Sequence, residues 1–136
     1  MRKVNFIAVH CTAGNQKATV NDLLSEFKRK GWKNPGYHYV VTADGVIHQL
    51  LTTDKVSNGV KGYNSQLVNI AYTGGIDLCT GKAVDNRTTA QKKSLRSLLR
   101  VLRTQFPEAV IQGHRDFPGV AKACPSFNAK QEYSDI

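Results

Sequence analysis

The chain has 136 residues, 40% hydrophobic and 21% charged, with 19 Lys and Arg against 10 Asp and Glu for a net charge of +9. That length suits one domain with its own core, and no apolar run nears the roughly 20 residues that span a bilayer. The positive excess points to an anionic partner or surface, whether nucleic acid, lipid or an acidic polymer.

The opening MRKVNFIAVHCTAG has a basic tip, but its apolar stretch is short and broken by Asn5 and His10. It reads as a first strand over 3–10 and not as a signal peptide, so the chain is expected to be made in the cytoplasm. TAGNQKA is a loop. Thr19 with Asp22 three residues on predicts a helix start, with Leu23, Leu24 and Phe27 as the buried stripe and Gly31 as a left-handed exit. GYHYVVTADGVIHQL (36–50) predicts two strands joined by a tight Asp44-Gly45 turn. LVNIAYT (67–73) reads as a buried strand closed by Gly74-Gly75, and DLCTGKAVDN as an exposed loop. Thr88 and Gln91 form a capping box for a long helix whose Leu95, Leu98, Leu99 and Leu102 recur at helical spacing. Lys92, Lys93, Arg96, Arg100 and Arg103 occupy the rest of its surface. AVIQGH (109–114) is a short last strand. Strands interleaved with two helices predict a single α/β domain over 1–136, with a central mixed sheet flanked by helices.

Chemistry concentrates in QGHRDFPGVAKACPSFNA (112–129). Cys124 in such a loop is open to four readings: packing, half of a disulfide, a nucleophile or a metal ligand. Cys11, Cys79 and Cys124 make an odd count, so at least one thiol has no intramolecular pair. His10 and His114 end predicted strands, where an α/β sheet usually opens its site. Two imidazoles and a thiolate are a recognised catalytic zinc set with the fourth position left to water. Spacing alone leaves packing and ligation both open.

AVHCTAG, GWKNPGYHYVVTADG, VKGYN, GGID, QKKSLRSLLRVL and AKACPSF, in this order, resemble the type 2 N-acetylmuramoyl-L-alanine amidases over nearly the whole chain. Animal peptidoglycan recognition proteins are more distant relatives. The resemblance implies one zinc per chain at the sheet edge, held by His10, His114 and Cys124, with Tyr37 and Lys122 as catalytic partners. It implies hydrolysis of the amide joining N-acetylmuramic acid to L-alanine in the bacterial cell wall, as in an endolysin. Peptidoglycan is then the anionic partner, and a monomer without nucleic acid or stable membrane insertion is expected. The alternative is a non-catalytic peptidoglycan-binding module, against which Cys124 argues, since a binder needs no thiolate ligand.

The remaining candidates have plainer readings. Asn64 is either a hydrogen-bonding contact to the substrate peptide or a turn former. His38 alternates with Tyr37 and reads as a hydrogen-bonded core histidine. His48 is peripheral, Cys11 packs, Cys79 is an incidental free thiol, and Trp32 packs after the first helix. Asp116 and Arg115 orient their loop or pair with each other. Two positions depart from the amidase pattern: Gly59, where relatives often carry a groove-lining His, and Asn69, where they commonly have Gly.

Overall fold

The computed structural model describes residues 2–136. Its strands are β1 (Phe6–Cys11), β2 (Tyr39–Val41), β3 (Ile47–Gln49), β4 (Leu67–Tyr72) and β5 (Val110–Gly113). Its helices are α1 (Val20–Arg29), α2 (Thr89–Gln105) and α3 (Ala129–Glu132). The five strands form one sheet in the order β3-β2-β4-β1-β5, parallel throughout except for the β2–β3 hairpin. The mixed sheet flanked by helices is the architecture expected from the sequence.

Period-two alternation divides the sheet's faces. Ile7, Val9 and Cys11 of β1 and Val68, Ile70 and Tyr72 of β4 meet Leu95, Leu98, Leu99 and Leu102 of α2 in the main core. Each buried leucine there contributes about 1.5–3 kcal/mol through removal of its surface from water. The other face carries Val40 and Ala71 against Leu23 and Phe27 of α1, and also His10 and Asn69. Two helices on opposite faces thus leave one sheet end, at the carboxyl ends of β1 and β5, free for a site.

The caps are as read. Thr19 with Asp22 and Thr88 with Gln91 each form a reciprocal box, and Gly31 leaves α1 at φ 79°. Gln91 does more than cap: its buried Nε2 donates to the carbonyls of Val41 and Thr73 at 3.1 and 3.0 Å, tying α2 to the sheet. Two expectations need correction. Leu24 is exposed, because Leu23 and Phe27 at i and i+4 already define the stripe and Leu24 lies a turn-fraction off it. The hairpin strands are only three residues each, since the N–H groups of Leu50 and Leu51 converge on the His38 carbonyl and end the ladder as a bulge would.

Candidate metal centre

The centre begins with register. Val9 pairs with Gly113, so the next residues, His10 and His114, leave adjacent parallel strands side by side. His10 is buried and His114 half-buried, and their Nδ1 atoms stand 3.2 Å apart. Cys124 arrives on the following loop, which several bonds fold back onto the sheet end. The Arg115 N–H donates to the Cys124 carbonyl at 2.9 Å, and the Tyr72 hydroxyl to the Pro125 carbonyl at 2.6 Å. Gly113 permits that approach, since a Cβ there would stand 2.7 Å from Pro125 Cδ. Asp116 accepts from the Gly113 N–H at 2.8 Å, so it orients the loop's start; no Arg115–Asp116 ion pair forms among the described residues.

The Cys124 sulfur then lies 3.9 Å from His10 Nδ1, and the three donor atoms all fall within 4.8 Å of one another. Ordinary zinc bond lengths in a tetrahedron place two nitrogens about 3.3 Å apart and a nitrogen and sulfur about 3.6 Å apart. The donor set therefore fits zinc in both type and spacing. The Cys11 backbone N–H donates to the Cys124 sulfur at 3.2 Å, a bond that favours a thiolate.

Burial holds His10 neutral, lowering its pKa to about 3 with help from His114 and Lys122, against the bond to Asn69. His114 is lowered likewise by burial and Lys122. Both rings present lone pairs at neutral pH. The adjacent Cys11 thiol and burial raise Cys124, so metal binding there releases a proton.

A cleft of about 200 Å³ opens on the donors and is also lined by Tyr37, Lys122, Trp32 and Gly59. It continues into a second cleft of about 450 Å³ that shares Trp32, Gly59, His114 and Lys122. The Tyr37 ring lies 5.3 Å from that of His10 and its hydroxyl donates to the Cys11 carbonyl at 3.4 Å; burial, then Cys124 and Cys11, raise its pKa. Lys122 is exposed on the rim. Trp32 stacks on Phe27 at 5.6 Å yet stays 38% exposed, so it packs and lines the cleft at once. Asn64 lies outside both clefts' linings: its Oδ1 accepts from the Gly59 and Val60 N–H groups at 3.0 and 2.7 Å, which forms the turn. A cavity of about 510 Å³ between the start of α1 and the β2–β3 turn contains Lys17, Asp44 and His48 and lies away from the donors.

Residues 1–127 match the family described as N-acetylmuramoyl-L-alanine amidase. The chain belongs to that family. This amidase-family chain is 41% identical over 143 residues to the endolysin of Klebsiella phage KP32, covering 96% of this chain and 91% of that one. It is 37% identical over 127 residues to the endolysin of Escherichia phage T7, covering 92% and 82%. The Ph2119 endolysin from the Thermus scotoductus MAT2119 bacteriophage shares its fold, with a TM-score of 0.82 at 24% identity over 99% of this chain and 85% of that one.

Sequence reasoning missed the hydrogen-bond partners beneath the site. His10 Nε2 donates to Asn69 Oδ1 at 2.8 Å, and behind it Asn69 meets Ser57 and His38. His38 was legible as a buried, hydrogen-bonded histidine, and its ring bonds the Lys55 carbonyl at 2.7 Å. Ser57, inside a turn, gave no signal. No helix among the described residues is long and apolar enough to cross a membrane.

Proposed function

We propose that the chain is a zinc-dependent N-acetylmuramoyl-L-alanine amidase that hydrolyses the amide between N-acetylmuramic acid and L-alanine in peptidoglycan. It would act as a monomeric, endolysin-like lytic enzyme on the bacterial cell wall, with one zinc held by His10, His114 and Cys124. The observation that carries this reading is the convergence of two neutral imidazoles and a thiol within 4.8 Å, at the head of a cleft rimmed by Lys122 and Tyr37.

Zinc supplies a Lewis acid that lowers the pKa of water to about 7 and polarises a carbonyl. The chain's residues do the rest. His10 and His114 offer lone pairs without deprotonation, and Cys124 is a ligand and not a nucleophile. The Lys122 ammonium, on the rim of the cleft, offsets negative charge developing on the amide oxygen. The Tyr37 hydroxyl, kept protonated by burial, would turn from its long bond to the Cys11 carbonyl to donate to the same oxygen, or orient the attacking water through its lone pairs. Asn64 acts through the turn it closes, holding the Gly59–Val60 backbone that lines the groove. The net charge of +9 draws the protein to an anionic wall.

Elemental analysis of protein purified without chelator should find close to one zinc per chain, and a chelator should abolish wall hydrolysis until zinc is restored. Cys124→Ala should lose both metal and activity. Full zinc in Cys124→Ala would remove that residue from the centre.

A further inference from the structure

We infer that Asn69 is a positioning residue for the metal ligand His10, at the end of a buried relay that fixes which ring nitrogen faces the metal. The inference rests on the zinc-amidase reading and deepens it. His10, Asn69, Ser57 and His38 are all 0–1% exposed, so each polar atom must find its partner within the protein.

Donor and acceptor chemistry then assigns the protons along the line. The Lys55 carbonyl can only accept, so His38 Nε2, 2.7 Å away, carries the hydrogen. The Arg2 guanidinium 3.2 Å from that nitrogen is itself only a donor, so it is a neighbour and not a hydrogen-bond partner. The backbone N–H of Asn69 can only donate, and it meets His38 Nδ1 at 2.9 Å, which independently makes Nδ1 the acceptor. Ser57 Oγ, 3.1 Å from the same Nδ1, shares that lone pair as a second, longer donor and keeps its own lone pairs for Asn69 Nδ2–H at 2.7 Å. That bond turns the Asn69 oxygen towards His10, and Nε2–H of His10 donates to it at 2.8 Å. His10 Nδ1 is left as a bare lone pair, pointed at His114 and Cys124. The ligand's tautomer is thus set from the Lys55 carbonyl, four hydrogen bonds away.

Gly59 belongs to the same device. A Cβ built there would stand 2.2 Å from Asn69 Oδ1 and 2.3 Å from Cγ, whereas tolerable contacts begin well above 3 Å. Any side chain at 59 would push the Asn69 amide off His10. The two positions that depart from the amidase pattern are therefore one exchange: position 59 gives up its side chain so that position 69 can hold the ligand from below. The backbone of Gly59, bare on its other side, becomes part of the cleft lining.

The test reads the His10 tautomer by nitrogen NMR in the metal-free protein, and zinc affinity by competition with a chelator. Unaltered protein should show His10 wholly as the Nε2–H form, which Asn69→Leu, similar in size but unable to accept, should lose. Zinc affinity should fall about 10- to 100-fold in Asn69→Leu, as for other partners of metal-bound histidines, and return to within about threefold in Asn69→Asp, which still accepts. Gly59→Ala should weaken zinc binding like Asn69→Leu, and cost nothing further when made together with Asn69→Gly. An Nδ1–H form of His10 in unaltered protein overturns the relay, and unchanged zinc affinity in Asn69→Leu overturns its role. Failure of unaltered protein to bind zinc while His10 holds the Nε2–H form would sink the amidase reading and leave the relay standing.

Discussion

The Arg87 guanidinium stands over the Phe127 ring at 3.5 Å and clamps two carboxylates, Asp85 and Glu132, each through two nitrogens. It also donates to the Tyr133 hydroxyl at 3.1 Å, so one side chain joins the loop before α2, helix α3 and the segment three residues past Cys124. Its side chain is 2% exposed, whereas Asp85 and Glu132 keep 30% and 37%.

Arg87→Met should therefore lower unfolding free energy by about 3 kcal/mol, the low end for breaking a buried ion pair, because both carboxylates can be rehydrated. Urea unfolding checks this. Zinc should also dissociate faster, since the loop carrying Cys124 loses its anchor at Phe127. An unchanged midpoint would reduce the clamp to a surface pair.

Lys122 separates catalysis from metal binding. Its charge favours the tetrahedral, negatively charged transition state over the planar amide, so its loss should appear in turnover. Lys122→Ala should keep zinc and fold while turnover falls roughly 10²- to 10³-fold, as for loss of one oxyanion donor. Tyr37→Phe should keep its ring packing against Phe27 and His10 and also lose turnover. Turnover within about threefold of the unaltered enzyme, the range of ordinary surface substitutions, would return Lys122 to a solvated loop residue.

The legible parts of this protein are those whose information is local. Helix α2 is written in Leu95, Leu98, Leu99 and Leu102 and in its own capping box, and the site's address in two histidines at strand ends. Cys124 was a candidate ligand by residue type, but spacing left packing equally open until the family resemblance, because its meeting with His10 closes 114 residues of chain. The relay was hidden for the same reason: His10 to Asn69 spans 59 residues, and Ser57 and His38 look like any turn serine and core histidine. Arg87 sits in an exposed-looking loop, and its partner Glu132 is 45 residues away. Leu24 misled because composition names apolar residues without fixing the angle at which each leaves the helix.

Acid should destabilise the protein through His38. Burial and the nearby Arg2 lower its pKa from 6.5 to about 4, against the bond to the Lys55 carbonyl. Between pH 6.5 and about 4 the unfolded chain binds the proton and the folded chain does not, so stability is full above 6.5 and falls as pH drops through that window. The loss levels off below the folded-state value and amounts to roughly 3 kcal/mol at one unit per 1.36 kcal/mol. Urea midpoints of His38→Gln should vary less with pH across this window than those of the unaltered protein. Identical slopes would place the acid sensitivity elsewhere.

Mass spectrometry of purified peptidoglycan digested by the zinc-loaded protein tests the zinc-amidase assignment most directly. Stem peptides bearing a free L-alanine amine should appear, with the glycan strands intact, and should vanish when zinc is withdrawn. New reducing sugar ends, or digestion undiminished without metal, would contradict it.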